Sequence, residues 1–222
     1  MLMNDKAVKE AVEAGELVIT PFSEGKLQGA SYDLAIGGEA LVSNNDSKTV
    51  LSPRNSLHLQ AGDFALVLTK EKVKFPLDMA GNIGMRSWLA RKGLMLLAGM
   101  QVDPGFEGHL RFGLYNASPR AITLDDGDAL CMLEFHRLSG AVEHPPARIP
   151  ELLEGTLPEV DRDFLRSLET TSLSDLSQNV RSLTQSVTFL TKLMTWFLLP
   201  LIIAIFAGLL VLVAATAWRG TT

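Results

Sequence analysis

Between residues 16 and 138 the sequence is cut into short apolar or alternating runs that leave little room for anything long and helical. ELVITPF, SYDLAIGGEALVS, FALVLTKEKVKF, HLRFGLYN, AITL and ALCMLEFHRL follow one another with Gly, Asn, Asp and Pro between them. An alternating run has one apolar face and must bury it against another such face. A succession of them at this spacing predicts a mainly β domain, a sandwich or a barrel. The exception stands at the start. In NDKAVKEAVEAG, residues 4–15, Ala7, Val8, Ala11 and Val12 share one helical face, with Asn4 as N-cap and Gly15 as stop.

The formal net charge of −5 over 222 residues argues against a nucleic-acid partner, which selects for a basic face. One cysteine, Cys131, permits no internal disulfide and suits a reducing compartment. It also excludes the zinc nucleobase deaminases, whose metal needs a Cys-x-x-Cys pair. His58, His109, His136 and His144 show no ligand spacing, so no protein-held metal is expected. Asp5, Lys6, Lys9 and Glu10 interrupt any secretory signal near Met1.

After residue 139 the character changes. Residues 140–163 carry Pro145, Pro146, Pro150 and Pro158 and read as an extended strap or linker. Over 164–194, Leu173, Leu176, Val180, Leu183, Val187, Leu190 and Met194 recur at alternating spacings of three and four, a heptad seam. The seam predicts a parallel coiled-coil stalk, or else an amphipathic helix lying on the β domain. Residues 197–217 hold no charge for 21 positions, with Trp196 and Trp218 at the ends. At about 1.5 Å per residue such a helix spans roughly 30 Å, the hydrocarbon thickness. A transmembrane helix over 195–218 is therefore expected, making a single-pass, tail-anchored protein in the lipid bilayer with its head in the cytoplasm.

The chemistry-bearing residues cluster between 85 and 116. Arg86 and Ser87 follow an apolar run, and a guanidinium, a hydroxyl and turn N–H groups together suit a phosphate chain. The alternative is a pair that merely caps the turn. Arg91 can orient a further anion or simply face solvent. In DPGFEG, 103–108, Pro104 fixes φ and Gly105 permits a positive one, which aims Asp103 at a sugar or a water, or satisfies its own backbone. Asp33, in SYDL, reads more safely as a buried structural carboxylate.

These segments resemble the dCTP deaminase branch of the dUTPase superfamily. The match runs in order through LVITPF, GASYDLAIGGEALV, LTKEKVKFPLDMAGNIGMRSWLARKGL, VDPGFEGHLRFGLYN and LDDGDALCMLEF. It implies a distorted, jelly-roll-type β-barrel over 1–139 that assembles as a homotrimer, with a nucleotide site between subunits. It further implies that Asp103 lies by the deoxyribose, or orients water if the chemistry is hydrolytic, and that Phe106 flanks base or ribose. Mg²⁺ enters this reading only in company with a nucleotide triphosphate.

The pattern breaks where catalysis needs it. Removing ammonia from a pyrimidine requires a positioned proton carrier. The deaminases place a glutamate in a stretch like LEFYN, and here FGLYN puts Gly113 at that position. Glu107 or Glu134 would have to act in its stead. Trp88 replaces a second serine, and Met132 stands where glutamine is common. Three functions remain open at this point: a nucleotide-binding pseudoenzyme that signals to the membrane, a tethered pyrophosphohydrolase using Asp103, and dCTP deamination through a displaced acid.

Overall fold

The computed structural model describes residues 1–43, 45–167, 173–198, 200, 202 and 204–208. It divides into two compact units, Met1–Ser174 and Asp175–Thr222. The first opens with α1 (Asp5–Glu13), where the Asn4 side chain accepts a hydrogen bond from the Ala7 N–H at 2.9 Å and Gly15 follows at φ 71°. Val8 and Ala11 on its inner face are buried.

Twelve strands follow among the described residues: β1 (Val18–Thr20), β2 (Leu27–Gln28), β3 (Ser31–Val42), β4 (Asn45–Val50), β5 (Leu57–Leu59), β6 (Phe64–Lys74), β7 (Met79–Met85), β8 (Leu94–Leu97), β9 (Gln101–Val102), β10 (Glu107–Asn116), β11 (Ile122–Leu124) and β12 (Ala129–Arg137). A short helix, α2 (Ser87–Arg91), separates β7 from β8. The main sheet runs β8-β10-β6-β3-β12-β7-β9, with β1 added to β6 and both β2 and β4 added to β3. β5 and β11 form a separate ribbon. All the pairings are antiparallel.

One strand curls this sheet. β3 pairs through residues 32–35 with β12 and through residues 36–42 with β6, and its register on β6 slips between Gly37 and Ala40. A Cβ on Gly37 would lie 2.8 Å from Lys70 Cβ and 3.0 Å from Lys70 Cα, while Gly38 adopts φ 68°. Only glycine meets both conditions cheaply, so the bend is written into the sequence at this pair. The inner face is lined by Tyr32, Leu34, Ile36, Phe112, Leu133 and Phe135, all essentially inaccessible. Inside it Glu71 is fully buried, its carboxylate accepting hydrogen bonds from Lys26 Nζ at 2.5 Å and the Ala35 N–H at 2.8 Å. A carboxylate so placed is tolerable only because it is paired.

Residues 140–163 depart from the extended strap expected of them. Pro150 begins α3 (Pro150–Glu154), Gly155 caps it at φ 75°, and α4 (Glu159–Ser167) follows. Leu152, Leu157 and Leu165 are buried with Leu41 and Leu68 in a second small core on the outer face of β3 and β6. The Leu157 N–H donates to Glu39 Oε2 at 2.9 Å. Burial alone raises the Glu39 carboxyl, but the hydrogen bonds from Lys48 and Leu157 and the charges of Lys48 and Arg162 outweigh it and hold it below the ordinary glutamate value.

The second unit is helical: α5 (Leu173–Leu193) ends in a π-helical turn, Met194–Leu198. The expected membrane anchor requires correction. Among the described residues no helix is long and apolar enough to cross a membrane. α5 has the length, but Ser, Thr, Gln and Asn fill most positions outside its heptad seam, with Arg181 and Lys192 among them. Beyond the π turn, positions 199, 201, 203 and 209–222 of the apolar segment lie outside the described residues. The transmembrane helix, the bilayer as partner and the tail-anchored placement are accordingly withdrawn.

Candidate functional site

The DPG turn forms as its residue types dictate. The Phe106 N–H donates to the Asp103 carbonyl at 3.1 Å, and Gly105 holds φ 80°. The turn is pressed against its surroundings, because a Cβ on Gly105 would stand 2.9 Å from Leu77 and 3.0 Å from Pro145. Asp103 stays exposed and accepts a hydrogen bond from Gln101 Nε2 at 2.9 Å. It opens onto a cleft of about 230 Å³ whose walls include Ile83, Gln101, Phe106, Arg111, Ile149 and Leu152. Arg111 was not singled out by the sequence. Its strand neighbours Leu110 and Phe112 turn into the core, which leaves the guanidinium on the outer face, where it donates to Asp161 of α4 at 2.5 Å. Its place two residues before Gly113, on the same face of β10, was the available signal.

The RSWLAR segment sits elsewhere. Arg86 Nη1 donates to Asp33 Oδ1 at 2.8 Å, and Asp33 also receives Gln28 Nε2 at 3.3 Å. Asp33 is nearly inaccessible. Arg86 thus has one contact already committed to the protein, though a guanidinium carries five N–H donors. Ser87 and Arg91 are exposed, with Arg91 Nη1 3.4 Å from Ser87 Oγ. Trp88 is half-buried against the core, and Lys92 Nζ lies 4.5 Å from its ring centroid. None of Arg86, Ser87, Trp88 and Arg91 lines the Asp103 cleft. A neighbouring apolar groove of about 460 Å³, with Met85, Ala90, Met95 and Met100, shares Ile83, Ala98 and Gly99 with that cleft.

At Gly113 the packing is decisive. A Cβ there would meet the Leu97 carbonyl oxygen at 2.9 Å, Phe64 Cε2 at 3.0 Å and Leu97 Cβ at 3.1 Å. No side chain fits without displacing an edge strand's backbone. The other acids have duties of their own. Glu107 faces Lys72 at 3.8 Å, Lys74 at 3.7 Å and Arg148 at 3.3 Å, which ties the DPG turn to the strap. Glu134 lies 3.5 Å from His136 Nε2 and lines neither cleft. Among the described residues no three His, Cys, Asp or Glu side chains converge to hold a metal.

Residues 2–138 match the dCTP deaminase-like family. The chain belongs to that family. A dCTP deaminase of Thermococcus kodakarensis is 40% identical over 132 residues, which cover 59% of this chain and 82% of the relative. A dCTP deaminase of Pyrococcus furiosus is 37% identical over 151 residues, 65% of this chain and 88% of the relative. Among solved structures, the 2'-deoxycytidine 5'-triphosphate deaminase of Agrobacterium tumefaciens superposes with a TM-score of 0.52 at 19% identity. That match takes in 61% of this chain and spans about half, 47%, of the solved one, and it supports a mainly β fold like that of the solved deaminase. α5 lies beyond the family's stretch of dCTP deaminase-like sequence.

Proposed function

We propose that the chain binds a cytosine deoxynucleotide, dCTP or a close analogue, and does not deaminate it by the glutamate route of its family. The substrate class comes from the family and from relatives named dCTP deaminases. The residues that serve it are Asp103 and Phe106 for sugar and base, and Ser87, Arg91 and the free donors of Arg86 for phosphates. The absence of deamination rests on Gly113, where a Cβ would stand 2.9 Å from backbone oxygen. Losing a positioned acid or base typically costs about 10²–10⁴-fold in rate.

Arg86, Ser87 and Arg91 do not line the cleft that Asp103 and Phe106 line, and this division supports a site assembled from neighbouring copies, in a homotrimer. The exposed Met95 and Met100 beside the cleft suit such a contact. The heptad residues Val180, Leu183, Val187 and Leu190 of α5, all more than half exposed, supply a second surface for self-association as a coiled coil.

A second reading is dCTP deamination itself, and the relatives' names favour it more directly than binding alone. It requires an acid from outside position 113. Pyrophosphohydrolysis with water oriented by Asp103 belongs to the same active class. Calorimetric titration of the full chain with dCTP, followed by assay for ammonia and pyrophosphate, separates these. Saturable binding with neither product is the expected result. Ammonia establishes the deaminase reading, pyrophosphate the hydrolase one, and the absence of binding defeats all three.

A further inference from the structure

We infer that Asp161 occupies on Arg111 the place of an anionic group of the ligand, so that the C-terminal strap competes internally for the cleft. The inference rests on nucleotide binding as proposed above. Arg111 is the one cation among the described residues lining the cleft, and Asp103 the one carboxylate. An anionic group of the ligand that enters this cleft meets no other positively charged side chain among the described residues lining it. Yet Arg111 donates to Asp161 at 2.5 Å, with the two side chains 36% and 17% exposed.

The competitor belongs to the same segment that walls the cleft. Ile149 and Leu152 line it, and six residues after α3 begins to turn out through Gly155 the chain reaches Asp161. With the strap in place the cleft holds about 230 Å³. Ligand pockets for small molecules run to roughly 300–1,000 Å³, so there is little spare room beside Arg111 while Asp161 holds it. The segment before α4 is fixed more firmly. Backbone approach is close at Gly108, where a Cβ would lie 3.1 Å from the Leu152 oxygen, and Leu157 is tied to Glu39. Release is therefore placed at the α4 end, where Leu165 and the Arg111 pair are among the holding contacts and the charge of Arg162 acts on Glu39.

A phosphate outcompetes a carboxylate on a guanidinium because it offers more charge and the same forked geometry. The exchange is an equilibrium between two partners for one cation, and coupling of this kind is reciprocal. Ligand loosens α4, and whatever weakens the Asp161 contact strengthens ligand binding.

The experiment uses the full chain and dCTP as probe. Asp161→Asn keeps the side chain's shape and removes its charge, and it should tighten binding by roughly three- to tenfold, the span of a partly buried ion pair. Arg111→Ala should weaken binding, and adding Asp161→Asn to Arg111→Ala should then change nothing. In the unaltered protein, saturating dCTP should speed hydrogen exchange over 159–167 and leave 108–116 unchanged. Unaltered or weaker binding by a well-folded Asp161→Asn protein overturns the inference. So does unaltered exchange over 159–167 on saturation, which decides the matter alone if the variant does not fold. If the unaltered protein binds no dCTP, the proposed function has failed, and binding gained only in Asp161→Asn still upholds the competition. Binding in neither protein overturns both.

Discussion

Arg86 and Gly113 carry opposite lessons about a single side chain. Arg86 is the residue type a phosphate site calls for, yet its first partner is the nearly buried Asp33. Removing one member of a buried ion pair costs about 3–5 kcal/mol, and the one-third exposure of Arg86 reduces this to about 1–3 kcal/mol. Arg86→Ala should therefore lower the melting temperature by several degrees, whereas Arg91→Ala, on an exposed side chain, should leave it within about a degree. Equal melting curves for the two variants would refute the structural role of Arg86. Gly113 stands where the family resemblance predicts a glutamate, and the crowding around it makes adding a side chain costly. Overpacking typically costs about 1–3 kcal/mol, so Gly113→Glu should destabilise the protein and yield no ammonia from dCTP. A stable, deaminating Gly113→Glu protein would contradict the crowding between Leu97 and Phe64. The glycine itself was legible in FGLYN. The crowding was not, because β8 and Phe64 lie far away in sequence.

The elements were legible in proportion to how locally their signals are written. β3, β6, β10 and β12 announce themselves by alternation and β-branched residues, and α1 by its cap and its apolar face. β7 is harder, because MAGNIGM has poor intrinsic strand preference and is held in the sheet by pairing with β12 on one side and β9 on the other. In the strap, prolines suggested an extended chain, but Pro150 stands at the start of α3 and Gly155 at its end, the usual asymmetry of a short helix. Asp161 and Arg111 are separated by 50 residues, and nothing local pairs them. The strap also carries a pH dependence through Glu39. Its folded value lies below the ordinary 4.5, so its stabilising contribution is complete above that pH and is lost as pH falls through the folded value. Exchange protection of the Leu157 amide should accordingly fall on acidification below pH 4.5, and Glu39→Gln should remove that dependence. An identical acid profile in both proteins would show that Glu39 does not hold the strap.

At the scale of the molecule, family membership was legible because several motifs recur in order over residues 2–138. The membrane expectation rested on an uncharged run of 21 residues flanked by Trp196 and Trp218, and among the described residues no helix is both long and apolar enough to cross a membrane. The proposed assembly draws on one observation, that Ser87 and Arg91 do not line the cleft that Asp103 and Phe106 line. Light scattering should give the mass of three 24.1 kDa chains, and a monomer would remove the shared site. The central claim joins binding to the absence of the family's chemistry, and one observation reads both. Stoichiometric protein is mixed with dCTP and the cytosine ring protons are followed by NMR over hours. The expected result is broadened, shifted cytosine signals that persist unchanged in identity. Conversion of those signals to uracil, or sharp signals identical to free dCTP, would contradict the account.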